Sequence, residues 1–126
     1  MKRVITFVEA IREATDQSMA KDNNVILFGL GVDDPKAIFG STKDLQKKYS
    51  EQRVFDVPTS ENAMTGVGIG AAINGKRPIM VHQRLDFFLL AMDQVVNAAA
   101  KWFFMFGNQQ SVPITIRLVV GKGWGQ

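Results

Sequence analysis

The sequence predicts a three-layer α/β/α domain built on a doubly wound, mainly parallel sheet. Three observations carry that expectation. Short apolar runs end in glycine or proline, as strands buried on both faces do. Segments with helical spacing separate those runs, so strand and helix alternate. The 126 residues, 46% of them hydrophobic, suit a single core. No internal repeat or linker divides the chain, so residues 1–126 are expected to form one domain.

Thr6-Phe7-Val8-Glu9 reads as a capping box, hydroxyl and carboxylate each reaching an orphan amide. Phe7, Ala10, Ile11, Ala14 and Ser18 then recur at helical spacing, giving a helix over roughly residues 6–20. Asn23-Asn24 breaks it. Residues 25–28 form the first strand, and residues 31–42 a loop with Asp33-Asp34-Pro35 as its turn signal. A short helix over 45–49 and a strand over 53–57, stopped by Pro58, follow. Ser60 is expected to cap a helix running to about Asn74, which Gly75 ends. Residues 78–82 make the third strand, 86–106 one long helix, and 114–120 the last strand. In sheets of this kind ligands sit beyond the carboxyl ends of the strands.

Charge excludes several partners. The net charge is +3, from 15 basic and 12 acidic residues interspersed along the chain. No block of five like charges forms a nucleic-acid arm. Without cysteine there is neither a disulfide framework nor a thiolate, which fits a reducing compartment. Lys2-Arg3 is too short for the basic start of a signal peptide. The densest apolar stretch, residues 87–106, is broken by Asp93, Gln94, Asn97 and Lys101, whereas a membrane span needs about 20 apolar residues. A soluble, cytoplasmic chain is expected.

Three glycine motifs need a decision. Gly66 to Ala71 spells G-x-G-x-x-A, and Asp86 stands 20 residues after Gly66, as in a dinucleotide fingerprint. The glycines fall inside a helix, however, not at a strand's exit. Close packing of that helix explains them better, since each interior glycine costs about 1 kcal/mol against alanine. Gly70 to Lys76 spells G-x-x-x-x-G-K, but Arg77 follows in place of the required hydroxyl. Gly121, Gly123 and Gly125 read either as an anion cradle or as a loose end.

Pro58-Thr59-Ser60-Glu61-Asn62-Ala63-Met64-Thr65-Gly66 places Glu61 at a strand's exit and in the first turn of a helix. One reading is a favourable charge against the helix dipole. The other is a ligand-binding carboxylate, because residues 62–75 are free of charge and the strand end is where ligands bind. Phe87 is either helix core beside Phe88, Leu89 and Leu90 or a stacking surface. His82, the single histidine, is either a satisfied structural group or part of a pocket wall with Gln83 and Arg84.

The chain resembles the beta subunit of pyruvate and branched-chain 2-oxoacid dehydrogenases, and acetoin dehydrogenase more loosely. The ordered phrases that carry this start with Gly31-Val32-Asp33-Asp34-Pro35, Arg53-Val54-Phe55-Asp56-Val57-Pro58 and Ser60-Glu61. Ile69-Gly70-Ala71-Ala72 and Asn74-Gly75-Lys76-Arg77-Pro78 follow, then residues 91–101 and Val112-Pro113-Ile114-Thr115-Ile116-Arg117. The resemblance implies the transketolase-like pyrimidine-binding domain of the thiamine-diphosphate fold. It implies that Glu61 pairs with N1′ of the aminopyrimidine, favouring the imino tautomer whose nitrogen deprotonates the thiazolium, for oxidative decarboxylation of a 2-oxoacid. Phe87 matches the position that stacks on the pyrimidine, and His82 lies beside it. Backbone carbonyls near Val112, Ile114 and Thr115 match a potassium site of some relatives.

Two departures accompany the match. Gly31-Val32-Asp33 stands where many relatives have Gly-Glu-Asp, so no role for that glutamate carries over. The resemblance also implies that the C-terminal domain of full beta subunits, with a further active-site histidine, is absent from these residues. Magnesium and the diphosphate are then expected on an E1 alpha-type subunit, leaving half a site here and no activity alone. The 86–106 helix is apolar on nearly every face, so an oligomer is expected, a homodimer or a heterotetramer. Two alternatives stand beside this reading: a stand-alone, non-catalytic module that keeps the fold and dimer surface, and a dinucleotide-binding domain.

Overall fold

The computed structural model describes residues 3–34 and 36–121; Lys2, Pro35, Gly123 and Gly125 lie outside them. Helix α1 (Phe7–Lys21) starts with the expected capping box: Glu9 N donates to Thr6 Oγ1 at 3.2 Å, and Thr6 N donates to Glu9 Oε2 at 2.7 Å. The turn into β1 (Val25–Gly29) is clamped by Arg53. Its Nη2 donates to the carbonyls of Met19, Asp22 and Val25 at 2.8 to 2.9 Å. Three carbonyls, from the end of α1 to the start of β1, thus share one guanidinium.

A 3₁₀ turn (Ala37–Gly40), α2 (Leu45–Tyr49) and β2 (Val54–Asp56) follow. Then come α3 (Glu61–Ile73) and β3 (Arg77–His82). The expected helix over 86–106 is present as one unbroken helical run over residues 85–105, with a hydrogen-bond pattern that changes along it. Its parts are α4 (Leu85–Phe88), a 3₁₀ turn (Leu89–Ala91), a π segment (Gln94–Ala99) and α5 (Ala100–Met105). The last strand is β4 (Thr115–Leu118), shorter than expected.

All pairings are parallel, in the order β2-β1-β3-β4. The chain leaves β1 for β2 on one side and then crosses back to β3 on the other, so the sheet is doubly wound. Two cores confirm three layers. Met19 of α1 and Leu45 of α2 pack with Val25, Leu27, Val54 and Val81 on one face. Met64 of α3 packs with Phe28, Leu30 and Met80 on the other.

The glycines of α3 are explained by packing, though unevenly. A Cβ on Gly68 would lie 3.0 Å from both Ile114 Cδ1 and Phe28 Cζ. One on Gly66 would meet Gln94 Oε1 at 3.2 Å, while Gly70 faces open space. The close approach holds at the middle of the helix, and no strand exit delivers these glycines to a phosphate.

The sheet itself turns on Gly29. It sits at φ +151°, and a Cβ there would fall inside the Val81 carbonyl, 2.8 Å from the Val81 carbonyl carbon and nitrogen. Gly29→Ala should therefore destabilise the fold by at least about 2 kcal/mol, read as a lower urea midpoint at unchanged slope.

Candidate functional site

Three strand exits converge at the carboxyl edge of the sheet. Leu30 N donates to Val81 O at 3.1 Å, tying β1 to β3. Gly31 N donates to Asp56 Oδ1 at 2.6 Å, tying β1 to the end of β2. Between β1 and β3 the direction of winding reverses, the position where open α/β sheets bind ligands.

Glu61 enters this edge as the first residue of α3. It is only 8% exposed. Its carbonyl accepts from Thr65 Oγ1 at 2.7 Å, which holds the first turn. Among the described residues no hydrogen bond or ion pair engages its carboxylate. Ser60 makes no side-chain cap, contrary to expectation, at φ −162° and ψ 83°. The residue is buried as a whole, yet its carboxylate oxygens are not among the buried side-chain atoms that lack a partner, so they keep contact with solvent at the sheet edge.

His82 ends β3 and is fully buried. Among the described residues neither ring nitrogen has a hydrogen-bond partner. The imidazole meets Phe88 edge-on, ring centres 4.8 Å apart. Burial pushes its pKa below the ordinary 6.5, while the nearby charge of Glu61 pulls it up. The satisfied-histidine reading thus fails, and Glu61 and His82 share one electrostatic environment.

Phe87 is 45% exposed, so it is not core; Phe88 takes that place. The Arg84 guanidinium lies 5.2 Å from the Phe87 ring centre and pairs with Asp86 at 3.1 Å. The edge therefore gathers a carboxylate, an imidazole, a guanidinium and an open aromatic face. Val112, Ile114 and Thr115 lie elsewhere, before and at the start of β4. The Val112 carbonyl accepts from Ile114 N at 2.9 Å. Thr65, buried and bonded to Glu61, was not singled out from sequence. A β-branched hydroxyl four residues after the glutamate in a charge-free helix was the available signal.

The profile of the family described as transketolase, pyrimidine binding domain, matches residues 3–123. The chain is 41% identical over 123 residues to the pyruvate dehydrogenase E1 component subunit beta of Gracilaria tenuistipitata var. liui, covering 98% of the chain and 38% of that protein. It is 39% identical over 113 residues to the mitochondrial counterpart of Bos taurus, covering 90% and 32%. Against the 2-oxoisovalerate dehydrogenase subunit beta of Bacillus subtilis (strain 168) it is 38% identical over 120 residues, covering 95% and 37%. The chain thus spans about a third to two-fifths of the length of these relatives.

The buried imidazole predicts a pH dependence. With its folded pKa depressed, the unfolded chain takes up the proton first. Stability is then complete above the ordinary 6.5 and falls as pH drops below it. As the chain has a single histidine, the thermal midpoint should fall between about pH 7.5 and pH 5, and His82→Leu should flatten that slope.

Proposed function

This chain belongs to the transketolase pyrimidine-binding domain family, and from that premise we propose that it supplies the pyrimidine-binding half of a thiamine-diphosphate site. The whole enzyme would be a 2-oxoacid dehydrogenase of the pyruvate or branched-chain type. One observation carries the reading: Glu61 is buried at the β2 exit with its carboxylate unengaged. A carboxylate on a mostly buried residue at a strand exit, with no protein group among the described residues bonded to it, is placed to meet a ligand.

Thiamine diphosphate, when bound, supplies carbanion chemistry. The residues here bind, orient and hold a proton. Glu61 would hold a proton for the N1′ position from a carboxyl oxygen. Thr65 fixes the glutamate's own turn, so the carboxylate has a preset direction. Phe87 offers a half-exposed ring face for stacking, steadied by Arg84 above it. His82, buried beside Phe88, stands within the electrostatic reach of Glu61. Magnesium and the diphosphate would be held by an alpha-type partner.

The apolar residues of the 85–106 segment support an assembly. Leu89, Leu90, Phe103 and Phe104 are 63%, 66%, 48% and 84% exposed, so the chain's own core does not cover them. A second protein surface is the natural cover for such a patch. No helix among the described residues is long and apolar enough to cross a membrane.

Titration calorimetry with thiamine diphosphate and magnesium, with and without an alpha-type subunit, tests the proposal. Binding is expected only in the presence of the subunit, and Glu61→Ala should reduce the activity of the assembled enzyme by at least about a hundredfold. Absence of binding in both settings would leave a non-catalytic module instead.

A further inference from the structure

A second feature lies on the opposite face of the sheet and is independent of the thiamine reading. Alternation along the strands turns Ile79 and Val81 of β3 toward α1, together with Thr115 and Arg117 of β4. Helix α1 packs on β1 and on the 3₁₀ turn. Between α1 and β4 two hollows run along the same strands. One, of 490 Å³, is bounded at the carboxyl end by Phe7, Ile11, Ile38, Val81, Arg117 and Val119. The other, of 440 Å³, is bounded at the amino end by Ser18, Val25, Ile79 and Thr115.

Arg117 stands in the wall of this apolar trough. Nη2 donates to Ser41 Oγ at 2.5 Å and Nη1 to Thr15 Oγ1 at 3.5 Å. Among the described residues no carboxylate pairs with it, and burial pushes its pKa down. The other basic group on the trough, Arg77, is already paired with Asp22 at 2.9 Å. Phe7 and Phe39 leave 81% and 67% of their surface open on the rim.

We propose that this trough seats an amphipathic helix that presents one Asp or Glu, from its apolar face, to Arg117. Shape favours a helix over a small amphiphile. The hollows extend along β3, whose six residues span about 20 Å, the length of a helix of about 13 residues. A compact ligand would fill one hollow and leave the other bare. Parallel sheets are normally covered by helices on both faces, and among the described residues α1 lies mainly over β1 and the 3₁₀ turn, touching β4 only through Thr15 and the Phe7 end. Charge supplies the acid: a guanidinium half-withdrawn from water, bonded only to hydroxyls, selects an anion. The curated relatives are more than twice as long as the stretch they share with this chain, so they contain polypeptide able to furnish such a helix.

The test is a selection of displayed helical peptides, about 14 residues long, against the full chain. Binders to the wild type should converge on an acid at one register, flanked by apolar positions. Arg117→Met and Arg117→Gln should each bind them at least about tenfold more weakly. Changing the binder's acid to its amide should do the same without altering the chain. Ile11→Glu, checked for folding by circular dichroism, should abolish binding by blocking the trough. Binders without a fixed acid, or binders indifferent to Arg117 and Ile11, would overturn the proposal. So would perturbation of the Arg117 Nε resonance by decanoate with no helical binder recovered, which would assign the trough to a small amphiphile.

Discussion

Where β1 and β3 leave the sheet there is room for a hydrogen atom and no more. Gly29 lies against the Val81 carbonyl, and the next two amides are both spent across strands, on Val81 O and on Asp56 Oδ1. Three strand ends are drawn together by three consecutive residues. Everything placed at the carboxyl edge inherits its position from that knot. Val81 fixes His82, the next residue on β3, and Asp56 fixes the path through Pro58 to the start of α3 and Glu61. A side chain at Gly29 would part β1 from β3 and separate the two titratable groups.

The knot explains how a small domain tolerates a conflict inside itself. Glu61 is nearly buried without a partner, and His82 is buried with both nitrogens unsatisfied. The unsatisfied imidazole lowers the stability of the isolated fold. Glu61 offsets part of that cost, since its charge favours the protonated imidazole that burial disfavours. Residues that locally contradict a well-formed fold concentrate where function lies. Elsewhere the chain is consistent with itself: an intact capping box, a satisfied Arg53 clamp and two closed apolar cores.

That contrast sets what sequence reasoning reaches. The strands were legible because short apolar runs stopped by glycine or proline have few alternatives, and α1 was legible because its cap is spelled out in residues 6–9. The edge location of Glu61 followed from the rule for parallel sheets. The helical run over 85–105 was legible too, but not which of its apolar residues face the chain's own core. Apolar residues serving the chain's own core, Phe88 and Ala91, are interleaved with apolar residues that point outward, Leu89 and Leu90. Hydrophobicity records that a residue avoids water and not which surface relieves it. The π segment adds a register change with no residue signature. Arg117 went unremarked inside a familiar strand phrase. Its signal was a lone charge on the apolar alternation of β4.

The two faces of the sheet therefore differ in kind. On the α3 face the core is closed through Phe28, Met64, Met80 and Ile116, and what stays open lies outside it, on the far side of the 85–106 segment. On the α1 face the core closes over β1, β2 and Val81 of β3, and the opening lies at its edge, along β4. Covering the first surface would bury aromatic side chains without disturbing any strand. Covering the second would desolvate Arg117 further, so it can be favourable only with an anion on the incoming surface. An apolar cover lacking that charge would raise the cost of the guanidinium with every ångström of approach. The trough is thus selective by penalty as much as by attraction, a property that the aromatic surface on the other side does not share.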